Sequence, residues 1–169
     1  SRRRFGILVH RLLELLPGVP EPDRPAALDR FLARFAAGLD QEETSRLRAS
    51  VLDLLGRSDL APLFGPEARA EQAIVGLVDG VAVSGRIDRL VVTPHEVVAV
   101  DFKTGRRPPA AAADVSVGHL RQMALYRALL VRRFPDRPVR LGLLWTETAT
   151  LQWLDDALLA GVGAAPPPP

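Results

Sequence analysis

The sequence predicts an α/β (α+β) fold, with a small central mixed sheet flanked by helices and an N-terminal helical segment. Over roughly the first 65 residues, apolar side chains recur with helical spacing. From about residue 71 the pattern changes to short apolar runs separated by turn residues, which is typical of strands. A further helical stretch follows the third strand, so the order is helices, three strands, a helix and a strand.

The N-terminal segment is predicted to form three helices, over about residues 5–16, 25–37 and 41–55. Pro17 and Gly18 end the first helix. Asp40 is expected to cap the third helix, with Glu43 in the capping-box position. Residues 59–64 are expected to add a short turn.

Four strands are predicted over about residues 71–78, 81–92, 97–104 and 139–146, with a short edge strand over 151–154. Asp79-Gly80 is a strong hairpin signal between the first two strands. Residues 93–96 form a second turn, so the first three strands are expected to pair as a meander. The later helix is predicted over 119–134, after a loop over 105–117.

The composition excludes several classes of protein. The chain contains no cysteine, which excludes disulfides, thiol catalysis and iron–sulfur clusters and favours an intracellular setting. No apolar run approaches the roughly 18 residues needed to span a bilayer, so no membrane contact is expected. The motif G-x-x-x-x-G-K-[ST] does not occur, so no nucleotide site is expected. With a net charge of only +2, the chain as a whole is not a polycation, so phosphate contacts would come from local patches of arginine.

The third predicted strand ends in an acid, one spacer residue and a lysine. Asp101 and Lys103 are two residues apart, so their side chains point to the same side of a strand. Lys103 is the only lysine in an arginine-rich chain, which suggests a place where a compact ammonium is needed. A carboxylate beside an ammonium suits a hard cation and a phosphate. An ordinary salt bridge at the end of a strand explains the pair as well.

Asp88, in the second strand, is expected to face Asp101 in the third. Pairing about the short turn between the two strands makes them cross-strand neighbours, with Cβ atoms about 5 Å apart. Two carboxylates so close repel each other unless a cation lies between them, and Mg²⁺ or Mn²⁺ suits such ligands. Lys103 could then hold an attacking water. A salt bridge from Asp88 to Arg86 or Arg89 is the alternative.

Four short motifs, in order along the chain, resemble those of the RecB-like branch of the PD-(D/E)xK nuclease superfamily. The pattern is G-x-x-x-H, G-x-x-D, D-x-K and Q-x-x-x-Y. The matching residues are Gly6 and His10, Gly85 and Asp88, Asp101 and Lys103, and Gln122 and Tyr126. The local sequence looks most like the C-terminal nuclease domain of AddA, the helicase–nuclease subunit of the bacterial AddAB complex that processes double-strand breaks for recombination.

This resemblance implies a restriction-endonuclease-like core and a Mg²⁺-dependent DNA exonuclease, in which Mn²⁺ can substitute. The implied metal ligands are His10, Asp88 and Asp101, together with the main-chain carbonyl of Phe102. Lys103 matches the catalytic lysine. Taken alone, a histidine on a helix such as His10 is more often a surface or capping residue.

The resemblance also assigns residues that have plainer alternatives. Gln122 and Tyr126 match a motif that shapes the site and touches the DNA backbone, although they could simply cap and pack their helix. Glu71 matches a less regular acidic position on the first strand. Glu14 lies four residues after His10 and could orient its imidazole, although a surface role fits equally well.

Arg106 and Arg107 follow the D-x-K strand directly. They could contact DNA phosphates, and a solvated basic face explains them equally well.

The resemblance further implies the substrate, the partners and the cellular location of this chain. DNA is the expected substrate, a helicase part of the same polypeptide lies outside this sequence, and an AddB-type subunit is the expected partner in the bacterial cytoplasm. A single domain is expected over residues 1–160, with N-terminal helices in 1–65, a nuclease core in 70–154 and a disordered proline-rich tail in 161–169. Two rivals stay open: a domain of this fold that binds DNA or a subunit without cutting, and a freestanding exonuclease of the same superfamily.

Overall fold

The computed structural model describes residues 2–105 and 107–163, and it has the predicted order of helices and strands. The helices are α1 (Arg2–Leu15), α2 (Arg24–Phe35), α3 (Gln41–Gly56), α4 (Val117–Arg133) and α5 (Asp156–Val162). The strands are β1 (Ala68–Val78), β2 (Val81–Val92), β3 (Val97–Lys103), β4 (Val139–Trp145) and β5 (Thr150–Leu154). Within the described ranges, no helix is both long and apolar enough to cross a membrane.

The chain forms two compact units. Unit 1 contains Ser1–Pro66, Phe102–Pro108 and Trp145–Thr150. Unit 2 contains Glu67–Asp101, Pro109–Leu144 and Leu151–Pro169.

Unit 1 is built mainly from α1, α2 and α3, which pack their apolar stripes together. Leu12, Leu28 and Leu47, one from each helix, are fully buried. The predicted capping box at the start of α3 is present: the Glu43 main-chain N–H donates to Asp40 Oδ1 at 2.8 Å, and the Asp40 N–H donates to Glu43 Oε2 at 3.1 Å. The turn predicted after α3 is a longer 3₁₀ helix, Ser58–Phe64.

Unit 2 is organised around the five-stranded mixed sheet, in the order β1-β2-β3-β4-β5. β1, β2 and β3 pair antiparallel as the predicted meander. Asp79 and Gly80 both have positive φ, 50° and 78°, as the tight hairpin turn requires. β4 lies beside β3, and the Val97 N–H at the start of β3 donates to the carbonyl of Pro138 at 2.9 Å.

Helix α4 packs on the β1–β2 hairpin. Leu125 and Leu129 are buried in one cluster with Val78 and Val83. The side chain of Leu129 comes so close to β1 that a Cβ atom on Gly76 would lie 2.5 Å from its Cδ2 atom. Gly76 therefore allows the helix to sit directly on the strand.

The main differences from the sequence-based expectation lie at the ends of elements. β1 starts at Ala68, because Ala68 already pairs with Val91 of β2. Helix α5 was not predicted, since seven residues are too few to show a helical period; its Asp155 cap accepts the Leu158 N–H at 2.7 Å. Two residues of the expected tail, Gly161 and Val162, belong to α5, and residues 164–169 lie outside the described residues.

Candidate active site

Three acidic residues occupy one row across β1, β2 and β3 of unit 2. The β1–β2 pairs on either side place Glu71 opposite Asp88. The β2–β3 register, continued one step beyond the pair Arg89–Val100, places Asp88 opposite Asp101, as the sequence predicted. Because cross-strand partners share a face of the sheet, the three carboxylates lie on one face.

Two of the three acids in this row are buried, and two have carboxylate oxygens close together. A carboxylate oxygen of Glu71 and one of Asp88 lie within 4.8 Å of each other. Among the described residues, no ligand atom of Asp101 completes a group of three with these two at that spacing. Asp88 and Asp101 are only 9% and 6% exposed. Buried carboxylates offer oxygen ligands that suit a hard divalent cation.

Glu71 has an unusual backbone for a strand residue. Its φ is 50°, in the left-handed region that non-glycine residues rarely adopt. The two other such residues in the described ranges, Asp79 and Ala149, lie outside the strands. Strain of this kind persists where the surrounding structure imposes it, and it occurs often at functional sites. Pairing counted about the Asp79-Gly80 turn would have placed Glu71 opposite Asp88 from the sequence alone.

Gly85, Gln122 and Tyr126, from two of the four motifs, form one contact network in unit 2. The Tyr126 ring covers Gly85 so closely that a Cβ atom there would lie 2.6 Å from Cε1 of the ring. The Tyr126 hydroxyl donates to the carbonyl of Arg86 at 2.9 Å and accepts from Gln122 Nε2 at 3.1 Å. The two α4 residues therefore hold β2 two residues before Asp88, in keeping with a site-shaping role.

The Tyr126 hydroxyl stays protonated. Burial raises the pKa of Tyr126, and the nearby Asp101 carboxylate raises it further. The hydrogen bond donated by Gln122 opposes this rise, and Asp88 adds to it. The hydroxyl is therefore available as a hydrogen-bond donor.

In unit 1, the two residues of the G-x-x-x-H motif contact the residues on either side of Lys103. The His10 ring meets the Phe102 ring edge-on, with centroids 5.4 Å apart and an interplanar angle of 71°. A Cβ atom on Gly6 would lie 3.3 Å from Oγ1 of Thr104, tighter than an ordinary contact. The glycine thus lets α1 approach the chain just after Lys103.

Lys103 is the last residue of β3 and is half-buried. Its carbonyl accepts the main-chain N–H of Thr146 at 2.9 Å. Thr146 could not be selected from the sequence, because any residue except proline can donate its main-chain N–H to a carbonyl.

The remaining predicted site residues have ordinary surroundings where they are described. Glu14 accepts a 2.7 Å hydrogen bond from Arg11 near the surface, which favours the surface role over orientation of the imidazole. Arg107 is exposed. Arg106 lies outside the described residues.

A family model described as the PD-(D/E)XK nuclease superfamily matches residues 1–158. The chain belongs to the PD-(D/E)XK nuclease superfamily. Its members use divalent metals, which agrees with the oxygen ligands in the carboxylate row. A search of curated proteins finds no match.

Two solved structures show the extent of similarity in fold. A structure named "Putative exonuclease", from Eubacterium rectale, has a TM-score of 0.54 and 14% sequence identity over 89% of this chain and 62% of that one. This chain therefore spans less than two thirds of the length of that protein. The structure of SSO0001 is 17% identical over 91% of this chain and 71% of that one, but its TM-score of 0.37 is too low to carry an argument.

Proposed function

We propose that this nuclease-superfamily chain is the DNA-cutting domain of a larger protein and hydrolyses phosphodiester bonds with the help of a divalent metal ion. The observation that carries the proposal is the row of Glu71, Asp88 and Asp101 on neighbouring strands, with two of the three acids buried. Carboxylates on neighbouring strands offer several oxygen ligands to one divalent cation.

The donor set fits Mg²⁺ or Mn²⁺. Asp88, Asp101 and His10 are the proposed ligands, with the Phe102 carbonyl as a further proposed ligand and Glu71 as a further carboxylate. Hard carboxylate oxygens suit these ions, and imidazole is an acceptable additional ligand. When bound, such an ion would lower the pKa of a water and offset negative charge on the phosphate.

The chain's own residues would place the reacting groups. The Lys103 ammonium would hold the attacking water or stabilise the negative charge that develops on the phosphate oxygens. Tyr126 and Gln122 would keep β2, and with it Asp88, in place. Arg106 and Arg107 would contact flanking phosphates of the DNA.

The finer assignment is an exonuclease domain of an AddAB-type helicase–nuclease that processes double-strand breaks in the bacterial cytoplasm. The order of the four motifs and the local sequence around Asp88 and Lys103 support it. The fold shared with a structure named as an exonuclease is compatible with it. A helicase part of the same polypeptide and an AddB-type subunit would then be its partners.

The first experiment is cleavage of end-labelled DNA with and without Mg²⁺ or Mn²⁺. We expect Asp101→Ala and Lys103→Ala to lose cutting by at least about a hundredfold, because each removes a group that acts on the reacting atoms. Asp29→Ala, which breaks an exposed ion pair with Arg48, is the matched control and should cut normally. Metal-dependent cutting by purified Lys103→Ala at the wild-type rate would refute these roles.

The same assay separates the rival functions. A domain that only binds DNA would retain the labelled strand without cutting it under either metal. Release of mononucleotides or short fragments from linear DNA, with closed circular DNA left intact, would identify an exonuclease. Cutting by the isolated chain at the rate of a complete enzyme would favour a freestanding exonuclease over a module of a larger machine.

A further inference from the structure

Thr146 makes two contacts with the main chain of the proposed catalytic lysine. Its N–H donates to the carbonyl of Lys103 at 2.9 Å, and its hydroxyl Oγ1 lies 3.3 Å from the same oxygen. Thr146 is only 1% exposed. In the described part of the chain, the other buried polar or charged residues are Asp88, Arg89 and Asp101, which all belong to the candidate site or adjoin it.

The residues on either side of Thr146, Trp145 and Glu147, also contact other residues of unit 1. The Trp145 ring packs on Gly105, where a Cβ atom would lie 3.6 Å from Cζ3 of the indole. Glu147 Oε2 lies 3.4 Å from Nε of Arg46, whose guanidinium sits 5.1 Å from the centre of the Phe5 ring. The end of β4 and the residues after it therefore contact both Gly105 and the side chain of Arg46.

We infer that Thr146 is a positioning residue for Lys103, an inference that rests on the proposed nuclease function. Both lone pairs of a carbonyl oxygen can accept a hydrogen bond, and here one residue supplies both donors. Fixing this carbonyl fixes the backbone from which the flexible lysine side chain extends. A catalytic group displaced by even about 1 Å loses much of its effect, so the second hydrogen bond stabilises the productive position of the ammonium.

The test compares Thr146→Val, which keeps the shape and the main-chain bond but removes the hydroxyl, with Thr146→Ser, which retains it. We expect Thr146→Val to lower kcat for DNA cleavage about fivefold with little change in KM, in line with the loss of one hydrogen bond. Thr146→Ser should stay within about twofold of the wild type. The matched control is Thr150→Val, which removes an exposed hydroxyl bonded only to Thr148 and should leave kcat unchanged.

A role in positioning predicts non-additivity with the lysine. In a Lys103→Ala background, Thr146→Val should cause no further loss of the residual rate, because there is no ammonium left to position. A purely structural role would reduce the rate by the same factor in both backgrounds.

The outcomes keep the two proposals distinct. If the wild type cuts, Lys103→Ala retains only a small residual rate and Thr146→Val cuts like the wild type, only the role of Thr146 is overturned. The same holds if Thr146→Ser is as impaired as Thr146→Val, or if the loss persists in the Lys103→Ala background. A wild-type chain that does not cut DNA under Mg²⁺ or Mn²⁺ overturns the proposed function and the role of Thr146 together.

Discussion

At the scale of single residues, the motif glycines are explained by close contacts. Gly85 lies under the Tyr126 ring, and Gly6 lies against Thr104. In both places a side chain would occupy space that another motif or the residue after Lys103 already fills. The spacing of these motifs therefore depends on packing around the site as well as on its chemistry. For this reason, four patterns that are weak one by one are informative together.

Gly85→Ala tests this contact. A methyl group 2.6 Å from the Tyr126 ring must displace the ring or the strand, so we expect the free energy of unfolding to fall by about 1–3 kcal/mol. Gly118→Ala is the matched control, because a Cβ there would meet nothing within 4 Å beyond its chain neighbours and its own helix backbone, and alanine favours the α4 helix. Urea unfolding measures both. Equal stability of Gly85→Ala and the wild type would show that Tyr126 does not pack as described.

The alkaline behaviour of Tyr126 gives a second prediction at this scale. Its folded pKa is raised by burial and by Asp101, so the neutral phenol adds stability that is complete below the unfolded pKa of about 10. That stability is lost as the pH rises from there through the folded pKa, because the unfolded state releases the proton first. Tyr126→Phe should lack this component of the alkaline loss.

Tyr126 is the only tyrosine of the chain, so tyrosinate absorbance reports on it directly. We expect the absorbance of the folded protein to rise at a higher pH than that of the urea-unfolded chain. A midpoint equal to or below the unfolded one would contradict the buried, hydrogen-bonded placement.

At the scale of secondary-structure elements, the sequence predicted most where the pattern was long or the turn was specific. β2 begins and ends where the apolar run and the turn residues on either side of it placed it, and α3 carries its expected cap. The facing of Asp88 and Asp101 followed from the short turn between their strands. The sequence could not show the left-handed backbone of Glu71 or the bond from Thr146 to Lys103, because both depend on how the elements pack.

The cap of α3 can be tested apart from the site. Asp40→Ala removes the side chain that accepts the Glu43 N–H, so we expect the protein to lose about 1 kcal/mol of unfolding free energy. DNA cleavage well below the unfolding temperature should not change. The control is Glu42→Ala, which removes the acid one position before Glu43 of the capping box. It should change the unfolding free energy by less than about half of the loss expected for Asp40→Ala. A comparable loss in both variants would mean that charge near the helix start, and not the cap, accounts for the effect.

At the scale of the whole molecule, the proposed metal ion should stabilise the folded chain, because the carboxylate row forms only when the strands pair. Ion binding to the folded state should add about 1.4 kcal/mol at a free concentration ten times the dissociation constant. We therefore expect Mn²⁺ or Mg²⁺ to raise the unfolding temperature in a concentration-dependent way, and EDTA to reverse the shift.

Two variants show whether the shift comes from the row itself. Asp88→Asn removes the central charge of the row, so it should lose most of the metal-induced shift. Asp29→Asn, which changes an exposed acid paired with Arg48, should keep the full shift. If Asp88→Asn responds to Mn²⁺ as strongly as the wild type, the ion binds elsewhere. The buried acids would then need a different explanation, even if the chain cuts DNA.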